Sequence, residues 1–122
     1  MANAHLVDPQ ERFNAIDFDP RTEHWEHSIC VSDYTCPECK YQVRFSTHDF
    51  YGDRTVCPFD DQQRQIIESA RLLSASDREQ CLDFLCPQCG LPVRAVYRPD
   101  SEFAMGAYTY KIVVVIELHE TG

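Results

Sequence analysis

The sequence predicts an α+β fold, in which a small antiparallel β-sheet carries one inserted amphipathic helix. Two Cys-Pro-X-Cys motifs lie fifty residues apart, and each stands between β-prone runs, which indicates paired hairpins. Apolar residues after Asp60 recur with a helical period. The 122 residues, 43% of them hydrophobic, suffice for one modest core. We therefore expect a single domain.

Residues 1–28 show no clean period and are interrupted by Asp8-Pro9 and Asp19-Pro20. We expect them to form an acidic N-terminal segment packed on the domain. The domain itself is predicted to span residues 29–122, with the helical insertion at 58–80.

Short strands are predicted around both cysteine motifs. Strict alternation of apolar and polar residues from Tyr41 to Phe45 indicates a half-buried strand after the first motif. Leu82–Leu85 and Val93–Tyr97 flank the second motif in the same way. The final run, Tyr108–Leu118, has an unbroken apolar centre, which is typical of a central strand buried on both faces.

The inserted helix is predicted to begin at a cap formed by Asp60 or Asp61. Its apolar face is expected to contain Ile66, Ile67, Ala70 and Leu73. Arg64 and Glu68 have the spacing of an i,i+4 ion pair on the exposed side.

The two motifs, Cys36-Pro37-Glu38-Cys39 and Cys86-Pro87-Gln88-Cys89, predict one metal site with four cysteine ligands. Two residues between cysteines allow a tight turn to direct both sulfurs at one ion, and two such turns complete a tetrahedron of thiolates. We expect one structural Zn²⁺ per chain. Iron takes the same ligands, and a redox role for the Cys-X-X-Cys pairs is a further alternative.

These two motifs resemble those of the zinc ribbon fold group, in which paired β-hairpin knuckles hold one zinc ion. The resemblance covers residues 29–46 and 81–98, and the 46-residue insertion between the cysteine pairs departs from it. It implies a zinc ribbon type of sheet with a structural metal, and it implies no particular activity because ribbons serve many functions.

A second metal site is a weaker hypothesis. His24, His27 and Cys30 stand three residues apart and would share one face of a helix, and Cys57 could supply a fourth ligand. The alternative is that the remaining cysteines are small buried apolar groups and that the histidines lie at the surface.

The charge favours a basic partner. The formal net charge is −9, and residues 1–33 hold seven acidic residues against two arginines. The function expected is a noncatalytic acidic protein that docks or inhibits a basic protein, of the immunity, inhibitor or adaptor type. The predicted partner-binding residues are Asp17, Asp19, Glu23, Trp25 and Glu26, with Phe18 and Tyr34 as further aromatic anchors.

Two other functions compete with this one. A nucleic-acid or transcription-associated ribbon would need a local basic patch from Arg44, Arg54, Arg94, Arg98 and Lys111, with Tyr41, Tyr97 or Tyr108 for stacking. The overall negative charge opposes that function. A redox or metal-dependent enzyme is the third class, and we predict no catalytic residue for it because a four-thiolate site has no open coordination position.

The expected location is the cytoplasm. Residues 1–8 lack the basic flank and apolar run of a secretory signal, and the apolar stretch at 112–116 is too short for a bilayer. Thiols stay reduced in the cytoplasm, which agrees with metal-binding cysteines. The oligomeric state is not predicted from the sequence.

Overall fold

A computed structural model of the chain describes residues 2–14, 17–18, 30–46, 57–74, 79–100 and 109–120. Its strands are β1 (Ala2–Val7), β2 (Asp17–Phe18), β3 (Cys30–Thr35), β4 (Gln42–Ser46), β5 (Gln80–Leu85), β6 (Pro92–Asp100) and β7 (Thr109–Glu120). A single turn of 3-10 helix spans Pro9–Glu11, and the helix α1 spans Asp61–Ser74. The mostly antiparallel β-structure with one helix confirms the predicted α+β class.

The strands form two antiparallel sheets. The larger sheet has the order β1-β7-β6-β5, and the smaller one has the order β2-β3-β4. Strand β7 is hydrogen-bonded on both sides and its residues Val115 and Ile116 are fully buried, so the prediction of a central strand is confirmed. An internal strand with both faces covered needs apolar residues in succession, which explains the unbroken run.

Strand β1 was not expected from the sequence. It lies at the edge of the larger sheet, antiparallel to the last half of β7, from Ala2 opposite Glu120 to Val7 opposite Val115. Its inward positions near the start are the small residues Ala2 and Ala4, which alternate with exposed Asn3 and His5. Small residues give almost no hydropathy signal, and the period-2 pattern of this strand is therefore weak.

The larger sheet lies in the middle of three layers. On one face, aromatic and aliphatic residues of β5, β6 and β7 pack against Tyr34 and Phe45 of the smaller sheet and against Phe13, which precedes β2. On the other face, β6 and β7 pack against Phe59 and Ile67 of the insertion. The two hydrophobic cores are thus separated by one sheet.

Helix α1 begins with a reciprocal cap. The Asp60 side chain accepts from the Gln63 N–H at 2.7 Å, and the Gln63 side chain accepts from the Asp60 N–H at 3.0 Å, as in a capping box. Ile67 is fully buried against the sheet, with Ile66 and Ala70 partly buried beside it. The predicted cap and most of the apolar face are confirmed.

Two details of the helix differ from the prediction. Leu73 is 89% exposed although it points within about 20° of the partly buried Ile66, so the covered part of the apolar face ends before the last turn of the helix. Arg64 pairs with Asp61 at 2.6 Å, and not with Glu68. The Glu68 carboxylate bonds instead to Arg94 of β6 and to Arg71.

Candidate metal centre

The two cysteine motifs form the same tight turn at the tips of two hairpins. In the first knuckle, between β3 and β4, the Lys40 N–H donates to the Cys36 carbonyl at 2.9 Å. In the second, between β5 and β6, the Gly90 N–H donates to the Cys86 carbonyl at 2.8 Å. Each turn is closed further by an N–H from its first cysteine to the carbonyl five residues later. The first knuckle belongs to the smaller sheet and the second to the larger one.

The residue after the second cysteine has a left-handed backbone in both knuckles. Gly90 has a φ of 80° and Lys40 a φ of 67°. Glycine adopts this conformation freely, whereas for an L-residue with a side chain it costs about 1–2 kcal/mol. The first knuckle therefore carries backbone strain that the second lacks.

The hairpin tips bring all four sulfurs together. The Cys36 and Cys89 Sγ atoms are 3.5 Å apart, as are those of Cys39 and Cys86, and all four lie within 4.8 Å of one another. Sulfurs bound to one zinc at about 2.3 Å in a tetrahedron are about 3.8 Å apart, while a disulfide needs about 2.05 Å. The described residues contain no other group of three or more such ligands with this spacing.

The free thiols of this group ionise unequally. Burial raises the pKa of Cys36 to about 12, although the N–H groups of Cys39 and Glu38 favour its thiolate. Burial also opposes ionisation of Cys86, but N–H groups from Cys89 and Gln88 lower its pKa to about 7. Four thiolates this close repel one another, and a divalent cation among them would remove that repulsion and release protons.

An acidic and a basic residue support each knuckle from the strands behind it. Asp33 of β3 and Arg44 of β4 are direct cross-strand partners, as are Asp83 of β5 and Arg94 of β6. In both pairs the arginine Nε and Nη2 atoms bond to the two carboxylate oxygens, at 2.8 and 3.1 Å in the first and 2.7 and 3.0 Å in the second.

The two pairs differ in burial. The Arg44 side chain is 55% exposed, whereas that of Arg94 is 6% exposed. Glu68 of α1 bonds to Arg94, whose guanidinium carbon lies 5.9 Å from the centre of the Phe59 ring. The inserted helix therefore covers the support of the second knuckle.

These supporting pairs are not among the residues predicted from the sequence, although the sequence contains a signal for them. An offset of fifty residues aligns more than the cysteines: Asp33, Cys36, Pro37, Cys39, Val43 and Arg44 recur as Asp83, Cys86, Pro87, Cys89, Val93 and Arg94. The repeat comprises the whole hairpin.

A buried carboxylate joins the two sheets near the four cysteines. Glu117 of β7 is fully buried and accepts from Arg12 Nε at 2.7 Å, from Arg12 Nη2 at 3.1 Å and from the Tyr34 hydroxyl. Burial opposes its ionisation, but bonds from Arg12, Tyr34 and His119 hold the pKa of Glu117 below its usual value. The His119 ring lies between two carboxylates, with Nε2 3.1 Å from Glu117 and Nδ1 2.8 Å from Glu38. This chain of contacts connects β7 to the first knuckle.

The second predicted metal site is only partly visible. His24 and His27 lie outside the described residues, and Cys30 is described only by its backbone in β3. The Cys57 thiol is partly buried, and it donates to the Asp83 carboxylate at 3.4 Å. The second site stays a prediction.

Most of the predicted partner-binding residues also lie outside the part of the chain that the structure describes. Asp17 pairs through its backbone in β2, while Asp19, Glu23, Trp25 and Glu26 lie outside the described residues. Tyr34 is not a surface anchor, because its side chain is fully buried and its hydroxyl bonds to Glu117.

Among the described basic residues proposed for a nucleic-acid interface, only Arg98 and Lys111 are exposed neighbours, as direct cross-strand partners in β6 and β7. Arg94 is buried, Arg44 is paired with Asp33, and Tyr97 is buried in the core, where it cannot stack on a base. Arg98 and Lys111 are exposed, and Tyr41 is 44% exposed. Arg54 and Tyr108 lie outside the described ranges.

No protein-family model matches this chain, and no curated protein or solved structure is detectably similar to it. In the described parts of the chain, no helix has both the length and the apolar character that a bilayer crossing requires.

Proposed function

We propose that the protein is a zinc-stabilised, noncatalytic binding protein that docks on a basic protein partner, as an immunity protein, inhibitor or adaptor does. The observation that carries the proposal is the group of four sulfurs within 4.8 Å at the tips of two hairpins from different sheets. Four thiolates fill a tetrahedral zinc ion and leave no position for substrate, which is the character of a structural site.

Zinc would be held by Cys36, Cys39, Cys86 and Cys89, and its chemistry here is to neutralise and join four thiolates. The paired hairpins resemble the knuckles of the zinc ribbon fold group. The Asp33–Arg44 and Asp83–Arg94 pairs orient the strands that lead into each knuckle, in the way that hydrogen-bonded groups behind metal ligands usually do.

The acidic surface supplies the docking function. The formal charge of −9 counts the cysteines as neutral, and four thiolates with one zinc ion make the loaded protein about two units more negative. Such a surface accelerates association with a basic partner and weakens with added salt. The acidic N-terminal segment, with Asp17, Asp19, Glu23, Trp25 and Glu26, is the proposed contact region.

Elemental analysis of purified protein tests the scaffold. We expect one zinc per chain and the appearance of four reactive thiols when a chelator removes it, beyond those reactive before. Cys57→Ser serves as a control outside the four-cysteine group, and it should keep the metal content that Cys39→Ser loses. A metal-free protein with Cys-X-X-Cys disulfides would overturn the zinc proposal and favour the redox alternative.

Docking is tested on a purified pair, after a basic partner has been isolated at low salt. We expect the dissociation constant to rise steeply with salt for the wild type. Alanine at Asp17, Asp19, Glu23 and Glu26 together should weaken binding and flatten its salt dependence. Unchanged affinity and unchanged salt dependence in that variant would show that the acidic segment is not the contact.

A further inference from the structure

A cavity of about 450 Å³ opens beside the second knuckle, between the hairpin tips, the end of β7 and helix α1. Its walls include the apolar side chains of Leu91, Pro92 and Leu118, and the sulfur-bearing residue Cys89. The carboxylates of Glu38 and Glu120 lie at the same cavity. The volume falls within the range of about 300–1,000 Å³ found for ligand pockets.

A second cavity of about 250 Å³ adjoins the first and shares Gln63, Leu118 and Glu120 with it. It adds the carboxylate of Asp60 at the start of α1. We refer to these two neighbouring cavities together as the β7 groove.

The charges at the β7 groove are mostly negative. Glu38, Glu120 and Asp60 lie along it, and no lysine or arginine from the described residues does. His119 also lies there, with carboxylate oxygens of Glu38 and Glu117 at 2.8 and 3.1 Å from its two ring nitrogens. With zinc bound, the four thiolates and the ion would together carry a charge of about −2 beside the groove.

From this combination we propose that the β7 groove is the binding site for arginine side chains on an extended segment of the basic partner. An arginine has an apolar stem and a charged planar head, and it can bury the stem against Leu91, Pro92 and Leu118 while the head meets Glu38 or Glu120. The inference rests on the proposed function and adds the location and side-chain chemistry of a contact outside the N-terminal segment.

A titration with a short peptide tests this site. The probe is a blocked Gly-Arg-Gly-Arg-Gly peptide added to the zinc-loaded protein at low salt, with amide NMR shifts as the readout. We expect saturable shifts at Gln63, Gly90 and Leu91. The matched control peptide contains citrulline for arginine, which keeps the shape without the charge, and it should produce no saturable shift.

Two double variants distinguish a specific binding site from nonspecific electrostatic attraction to an acidic protein. Glu38→Gln with Glu120→Gln should weaken the binding of the arginine peptide about tenfold, which corresponds to about 1.4 kcal/mol. Glu11→Gln with Asp61→Asn removes the same charge from exposed positions that line neither cavity, and it should weaken binding less than about twofold.

If peptide binding is weakened equally in the two double variants, or if the groove amides show no saturable shift, the β7 groove is not a specific site for arginine. The proposed function would survive either result, because it is tested separately by the salt dependence of the purified pair. Conversely, a partner that binds without salt dependence would overturn the proposed function even if the arginine peptide occupies the groove. Metal content and thermal unfolding of each variant check that the fold is kept.

Discussion

Gly90 and Lys40 occupy equivalent positions after the second cysteine of each knuckle, and only one of them suits its backbone. Gly90→Ala should destabilise the zinc-loaded protein by about 1 kcal/mol, because the left-handed conformation disfavours any L-side chain. A methyl group at Gly90 would meet no atom within 4 Å outside the two neighbouring residues, so we assign this loss to the backbone conformation. Urea unfolding at constant zinc measures it.

Lys40→Gly is the complementary change, and it should stabilise the protein by about 0.5 kcal/mol. The relief of backbone strain is partly offset by the greater freedom of glycine in the unfolded chain. A loss of stability comparable to that of Gly90→Ala would mean that the Lys40 side chain contributes more than its backbone strain costs.

Glu117 makes the stability of the fold depend on pH, and this effect can be measured separately from that of metal binding. Its pKa is below the usual 4.5 in the folded chain, so its ionised form stabilises the fold above that value and loses this effect as the pH falls through the folded pKa. Glu117→Gln should cost about 3 kcal/mol at pH 7, because Arg12 loses its charged partner.

The difference in stability between Glu117→Gln and the wild type should shrink as the pH falls from 4.5 through the folded pKa, because in this range the unfolded wild-type chain binds a proton at Glu117 that the folded chain does not. Denaturant unfolding of both proteins across that range measures it. Proton competition for the cysteines is common to the two proteins and cancels in the difference. A constant difference from pH 7 to the acid limit would contradict the assignment.

The two hairpins supply a matched experiment at the level of structural elements. Asp83→Ala should destabilise the protein by about 3 kcal/mol, because it removes a bidentate partner from the buried Arg94 while Glu68 remains. Asp33→Ala makes the same change at the equivalent position of the other hairpin, where Arg44 is half exposed, and it should cost less than about 1 kcal/mol.

Urea unfolding of the two zinc-loaded variants measures this contrast. Equal losses would show that the pair acts through the knuckle turn common to both hairpins, and that the cover supplied by α1 is energetically unimportant. The result would therefore distinguish burial from hairpin geometry as the source of the stabilisation.

The elements that the sequence predicts well are those whose side chains differ strongly from face to face. Tyr41–Phe45 alternates cleanly and the Asp60 cap is followed by buried Ile67, so the first hairpin and α1 could be located from local pattern. Strand β1 could not, because its inward Ala2 and Ala4 carry little hydrophobic signal and its place depends on β7, more than a hundred residues away.

For the molecule as a whole, the four-cysteine group lies between two sheets of unequal size. The larger sheet is also stabilised by a second core against α1, whereas the smaller sheet is stabilised by the shared core and by the four-cysteine group. Chelation should therefore increase amide hydrogen exchange in β3 and β4 more than in β6 and β7. Exchange followed by mass spectrometry measures this, and a uniform increase would show that the chain unfolds as one unit without metal.

The four-cysteine group could be predicted from the sequence because spacing alone encodes the geometry of a half-site. The burial of Glu117 could not, because one acidic residue at the end of an apolar run resembles a strand terminus until Arg12 and Tyr34 are known to meet it. Local periodicity carries no information about contacts between residues that are far apart in the chain.

The pairing of β1 with the end of β7 constrains the order in which the fold can be completed during synthesis. Residues 2–7 leave the ribosome more than a hundred residues before their hydrogen-bonding partners at 115–120. During that interval the first strand has unpaired backbone groups that could capture another nascent chain. Its mixture of alanine with polar Asn3 and His5 lowers the tendency of this strand to form such contacts.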